Sequence, residues 1–227
     1  DRSMAYYQPL QVNNIDTKSQ LFSVITAKDT KMGSVIRALQ VNGLKFETLR
    51  SPIVSTYYQS GIDEDQDKAS LYVAIGHTNT SFFIPLKNSF IIQKVLLGSK
   101  EFDQIIMQQM CINEDRALQL QNRVGIADTE LGHKLRSVLD TQLNNLVESI
   151  EQILEQHYED NRPSQTKIIL SGDMASMPGL NDYLKKRLGI TTEQINPWRN
   201  TSMYPLKPMP KQRNAEYATA IGLALNR

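Results

Sequence analysis

Apolar residues recur along this chain in two rhythms, and the places where the rhythm changes predict its elements. β-rich runs occupy residues 21–27, 44–49, 71–75, 81–85, 89–95 and 167–170. Between them, spacings of three and four residues predict helices. Val35, Ile36 and Leu39 follow a cap at Asp29 or Thr30 and stop at Asn42-Gly43. Ile53, Tyr57 and Tyr58 follow Ser51-Pro52, where proline suits a first helical turn. Phe102, Ile105, Ile106 and Met110 follow Gly98-Ser99. Ala117, Leu118 and Leu120 follow the capping run Asn113-Glu114-Asp115.

The longest stripe is Leu135, Leu139, Leu143, Leu146, Ile150, Leu154 and His157, which predicts one helix over residues 131–158. Its other face carries Asp140, Asn144, Glu148, Glu151 and Glu155. A bundle helix packed on a sheet fits this pattern; a short coiled coil is the alternative. Leu180, Leu184 and Leu188 predict a further helix. The chain closes on residues 216–225, where Ala218 and Gly222 permit close packing. Strands alternating with helices define an α/β chain, with a β-meander over residues 69–97.

Two segments read as connections. Residues 61–68 are acidic with one apolar residue, a solvated linker; a calcium loop would need a glycine turn and a distal Glu that are not completed there. Residues 201–212 hold Pro205, Pro208 and Pro210, a loop, with a polyproline ligand as the alternative.

Composition narrows the function classes. The 227 residues are 40% hydrophobic and 22% charged, a globular balance. A net charge of +1 gives no field for nucleic acid or an anionic membrane. No apolar run approaches the ~20 residues of a membrane span. Cys111 is the single cysteine, so no internal disulfide forms; this fits a reducing compartment, and the residue reads as small and buried. The opening Asp1-Arg2-Ser3 is neither a signal peptide nor an initiator methionine, which suggests a processed or truncated chain.

Two turns carry candidate chemistry. Residues 167–180 run from an apolar strand through Ser171-Gly172-Asp173-Met174 to Pro178-Gly179 and a helix. Such a turn offers backbone N–H groups to an anionic or polar ligand, or simply connects a strand to a helix. Gly76-His77-Thr78-Asn79-Thr80 is a hairpin turn with a glycine followed by hydroxyls. His77 has no second histidine or carboxylate at ligand spacing, and His133 and His157 lie far apart, so the sequence supports no metal site.

Those turns also carry a resemblance. Leu170, Ser171, Gly172, Pro178, Gly179 and Leu180 resemble the adenosine-side loop of the actin-like ATPase superfamily, as seen in the PilM and FtsA families. Asp173 and Met174 replace the second and third glycines of that loop. Ile75, Gly76, Thr80 and Ser81 resemble the second phosphate loop, and Ala74 stands where the families have aspartate. Gly98 keeps one of two glycines found before the next helix. Residues 111–117 are similar to the family's acidic helix start. Gln194-Ile195-Asn196-Pro197-Trp198 looks like its short strand after the adenosine helix. Ala218-Thr219-Ala220-Ile221-Gly222-Leu223-Ala224-Leu225 matches the last PilM helix. FtsA is the nearer rival, but it ends in an amphipathic membrane helix that this chain does not show before Arg227.

The resemblance implies an actin-like (ribonuclease H-like) lobe plus part of a small α+β inserted subdomain. It places residues 1–43 in that subdomain and 44–66 in the remainder of the first lobe. Residues 67–200 form the second lobe, with a helical subdomain at about 110–165, and 201–227 return to the first lobe. No counterpart of the first phosphate loop precedes Asp1. The nucleotide-binding candidates are Gly76, His77, Thr78, Thr80, Glu148, Gly172, Asp173 and Met174, with the two glycine corners facing each other across one crevice. ATP is the implied cofactor. Mg²⁺ is in question, because phosphoryl transfer needs a carboxylate to hold the metal or orient water, and Ala74 supplies none. No catalytic residue is assigned.

The implied function is a cytoplasmic scaffold of type IV pilus assembly, peripheral at the inner face of the membrane. Its implied partners are the tail of a PilN-like inner-membrane protein, received near residues 20–50, and other pilus assembly proteins, with homo-oligomerisation left open. The alternatives are an active actin-like ATPase and an FtsA-like cell-division protein.

Overall fold

In a computed structural model, residues 3–9, 22–45, 51–60, 70–86, 89–158, 166–198, 215 and 217–225 are described. The chain divides into two units, residues 1–51 with 87–89, and residues 52–86 with 90–227. Several expected segments lie outside the described residues: most of the strand at 44–49, the acidic linker, the turn at 87–88 and the proline loop. Leu44 and Lys45, which are described, belong to no strand.

In the first unit, β1 (Ser3–Pro9) pairs antiparallel with β2 (Phe22–Lys28), Tyr6 opposite Ile25. The hydrophobic pattern did not predict β1, whose apolar residues do not alternate strictly. α1 (Asp29–Val41) follows directly. It stops where Gly43 takes φ +71°, Gly43 N–H donates to Gln40 O at 3.0 Å, and Leu44 N–H donates to Leu39 O at 2.9 Å. This is the glycine stop that Asn42-Gly43 predicts.

The second unit is built on a five-stranded sheet, ordered β5-β4-β3-β6-β7. The strands are β3 (Ser70–Ile75), β4 (Thr80–Leu86), β5 (Ser89–Val95), β6 (Lys167–Gly172) and β7 (Thr191–Gln194). β3 pairs antiparallel with β4 and parallel with β6, and β6 pairs parallel with β7. Leu71, Tyr72, Val73 and Ile75 are all buried, as expected of a central strand covered on both faces. α2 (Pro52–Ser60) covers the Tyr72 face: the Tyr57 ring lies 5.2 Å from Tyr72 and 4.7 Å from Phe83. α8 (Ala218–Leu225) packs on α2 so closely that a Cβ on Gly222 would lie 2.4 Å from Ser55 O. The Thr56 and Thr219 hydroxyls meet there at 3.2 Å.

Between β5 and β6 come α3 (Ser99–Met110), α4 (Glu114–Arg123), α5 (Glu130–Val138) and α6 (Asp140–Tyr158). The Asn113 side chain caps α4 by accepting from Arg116 N–H at 3.1 Å. The single helix expected over 131–158 is two helices, broken at Leu139 with φ −95° and ψ 5°. The stripe runs through the break because Leu135, Leu139, Leu143, Leu146 and Ile150 all enter one core. Cys111 is exposed, not buried, because it ends α3 in a left-handed turn at φ 52°. Leu118 is likewise exposed.

α7 (Leu180–Leu188) follows β6. The short strand then lies at Thr191–Gln194, earlier than expected; Asn196 accepts from Trp198 N–H at 3.1 Å in a turn instead. Among the described residues no helix is long and apolar enough to cross a membrane.

Candidate functional site

Parallel pairing of β3 and β6 sets Ile75 opposite Gly172, so both glycine corners leave the sheet at the same edge, on adjacent strands. Asp173 N–H donates to Ile75 O at 2.8 Å. Gly172 turns at φ +87°, and a Cβ there would lie 2.4 Å from Ile75 O. Only glycine accepts both conditions.

The start of α3 makes a third wall. Gly76 N–H closes the β3–β4 turn on Asn79 O at 3.0 Å. Ser99 N–H donates to Gly76 O and Lys100 N–H to His77 O, both at 2.9 Å. Gly98 lies against the His77–Thr78 peptide, with a Cβ position 2.4 Å from His77 O. Gly98 N–H donates to Glu101 Oε2 at 2.8 Å. The amides that a helix N-terminus would hold out to an anion are therefore engaged internally.

The Pro178-Gly179 part of the loop packs against the α4–α5 connection. Ile126 N–H donates to Pro178 O at 2.8 Å. Cβ positions on Gly125 and Gly179 would lie 2.4 Å from Pro178 O and 2.6 Å from Ile126 O.

The predicted side chains separate into two groups. His77, Thr78 and Asp173 are exposed at the corner. Thr80 is buried and its hydroxyl donates to Leu97 O at 2.6 Å, while Met174 is wholly buried. At those two positions only backbone remains for a ligand. Glu148 is exposed on α6, and among the described residues no hydrogen bond or ion pair ties it to either turn. Ala74 pairs across the sheet with Ser81 and Ser171, so no carboxylate rises at that position.

Two corner residues escaped the sequence reading. Ser99 Oγ lies 3.5 Å from both His77 Nδ1 and Asp173 Oδ2, the outer limit of a hydrogen bond. Asp103 is half-buried, and its Oδ1 has no hydrogen-bond partner. Burial pushes its carboxyl up to about 6; Glu114 and Asp173 add to the rise and His77 opposes it. The available signal was a carboxylate between Phe102 and Ile106, one turn after the glycine that opens α3. Among the described residues no group of three His, Cys, Asp or Glu side chains is placed to hold a metal ion.

Residues 49–227 match the family of type IV pilus assembly protein PilM, well over half of the chain. The chain belongs to the PilM family. No curated protein sequence matches it. Among solved structures, it is similar to a chain of a PilM-PilN type IV pilus biogenesis complex, with a TM-score of 0.80 and 21% identity. That match covers 99% of this chain and 66% of the other, so this PilM-family chain spans just under two thirds of that relative. Ethanolamine utilization protein EutJ from Carboxydothermus hydrogenoformans matches with a TM-score of 0.63 and 14% identity, over 88% of this chain and 61% of EutJ. MreB5 of Spiroplasma citri bound to AMPPNP matches with a TM-score of 0.66 and 11% identity, over 88% and 64%. At these identities the likeness shows the fold, which is actin-like, as the two loop motifs imply.

Proposed function

We propose that this PilM-family chain serves type IV pilus assembly as a scaffold at the inner face of the cytoplasmic membrane. It binds the cytoplasmic tail of a PilN-like inner-membrane protein, and its nucleotide corner is degenerate. The observation that carries the scaffold role is the structural match to a chain of a PilM-PilN complex over nearly the whole of this PilM-family chain. Ala74, the internally bonded amides of Ser99, Lys100 and Asp173, and the facing Asp103 support the degenerate corner. The tail docks near residues 20–50, through an apolar groove or along a strand edge. Other pilus assembly proteins and further copies of the chain are secondary partners. Titration calorimetry with a PilN-like tail peptide tests the role: saturable binding that a scrambled peptide lacks supports it, and equal signals from both peptides reject it.

The second reading, an active ATPase, is favoured by the nucleotide-bound neighbour with the same fold. Mg-ATP at a hundredfold over Kd would add about 2.7 kcal/mol to stability, roughly 5–10 °C in Tm. An unchanged Tm at millimolar Mg-ATP is expected. A shift of that size together with phosphate release would establish the ATPase instead. ATP binding without hydrolysis would fit Gly76, His77, Thr78, Thr80, Gly172, Asp173 and Met174 lining a site that keeps a nucleotide but lacks Mg²⁺ chemistry.

A further inference from the structure

The last turn of α7 carries Lys185, Lys186 and Arg187, and the last turn of α5 carries Arg136, all exposed. Cations favour a helix C-terminus on dipole grounds alone. Arg136 and Arg187 differ from the two lysines in being held by a neighbouring helix. Arg136 Cζ lies over the Tyr183 ring of α7, 4.9 Å from its centre. Arg187 Nη2 donates to Asn144 Oδ1 of α6 at 3.1 Å. Tyr183 and Arg187 stand one turn apart on the same face of α7, which brings the two guanidiniums to one patch. Among the described residues neither arginine is paired with a carboxylate. We propose that Arg136 and Arg187 form a docking site for an acidic peptide segment of a partner protein, each guanidinium taking one carboxylate.

The fit follows from what holds each side chain. A guanidinium seated on a ring or tied to an amide keeps its full charge, whereas one in an ion pair is already neutralised. It is also oriented before binding, so less entropy is lost when a carboxylate bridges its N–H groups. Asp140 is the acidic neighbour of the patch, and its Oδ2 accepts from Asn144 Nδ2 at 3.1 Å rather than from either arginine. Lys134 on α5 is already paired with Glu130 at 3.2 Å. Both arginines also act on one hydroxyl: burial pushes Tyr183 above its ordinary pKa, Arg187 and Arg136 pull it back, and Asp140 adds to the rise. The same surroundings select against a membrane. The outer face of α6, which packs on α7, carries exposed Glu148, Glu151 and Glu155. A flat anionic surface laid across both helices would meet these carboxylates, whereas an extended segment contacts the arginines alone. The patch lies in the second unit and does not rest on the tail docking near residues 20–50.

Fluorescence anisotropy on the whole chain at low salt tests this with a labelled hexaglutamate peptide, hexaglutamine being the control. Hexaglutamate should bind saturably and hexaglutamine should not. Arg136→Gln with Arg187→Gln should weaken hexaglutamate about tenfold. Lys185→Gln with Lys186→Gln removes the same charge and should weaken it less than about threefold, because free ammoniums are not pre-oriented. Arg136→Lys with Arg187→Lys keeps the charge without the planar fork and should bind about threefold more weakly than the wild type. No saturable hexaglutamate binding overturns the proposal. So does an equal loss from the two glutamine pairs, which marks a diffuse basic surface. Co-sedimentation with phosphatidylserine vesicles that the arginine pair abolishes, while the peptide fails to bind, gives the patch to a membrane instead. If the arginine-to-glutamine pair does not fold, the arginine-to-lysine pair decides, and affinity equal to the wild type rejects the site.

Discussion

Gly172 and Gly189 both take left-handed backbone, at φ +87° and +65°, but their surroundings differ. Nothing lies within 4 Å of a Cβ on Gly189, whereas one on Gly172 would meet Ile75 O at 2.4 Å. Gly189→Ala therefore carries only the conformational cost, about 1 kcal/mol. Gly172→Ala must also push apart β3 and β6, and about 3 kcal/mol or more is expected. Urea unfolding of the two variants measures the difference; equal losses would show that the corner yields freely. The same contrast explains which site residues the sequence could reveal. Gly76 and Gly172 were legible because a close backbone approach leaves glycine in the chain. Asp103 was not, since a carboxylate on a helix reads as a solvated face until its burial is known.

Elements were legible where apolar spacing matched what packing later used. The helix start at Asn113 is one such case, and it carries a prediction: Asn113→Ala leaves Arg116 N–H without its side-chain acceptor and lowers stability by about 1 kcal/mol, read by thermal unfolding. The docking of α8 is another. Ala218 and Gly222 predicted close packing, and Ser55 O is the partner that fills the space a side chain would take. Gly222→Val should force α8 off α2 and cost several kcal/mol, about 3 or more. Limited proteolysis within residues 215–227 should quicken accordingly; a wild-type digestion pattern would contradict the packing. The break at Leu139 was invisible for a physical reason. Leu139 N–H still donates to Leu135 O, and Leu143 N–H to Leu139 O, both at 2.9 Å. Neither glycine nor proline marks it, and the leucine period continues across it. β7 was misplaced because Thr191–Gln194 is too short and polar to stand out, while the apolar Ile195 follows just outside it.

At the scale of the molecule, the two units are held together by different amounts of structure. The second unit has a five-stranded sheet whose central strand β3 is buried except at Ala74, with seven helices contributing to one core. The described part of the first unit is a two-stranded sheet and one helix. Of the α1 side chains described, none is buried, and Val35 and Val41 are exposed by 51% and 86%. A two-stranded sheet carrying one helix with no buried side chain among those described is marginal alone. Opening free energies should differ to match: amides of β1 and β2 should exchange through an opening several kcal/mol cheaper, about 3 or more, than those of β3 and β6. Hydrogen exchange followed by mass spectrometry over a urea series reads both sets in one sample. Binding of a tail peptide near residues 20–50 would then raise protection in β2 and α1 and leave β3 and β6 unchanged, because a ligand stabilises the opening it opposes. Coincident exchange of the two units in the free chain would mean that the first unit borrows its stability from elsewhere, and a weakly folded receiving surface would have to be given up.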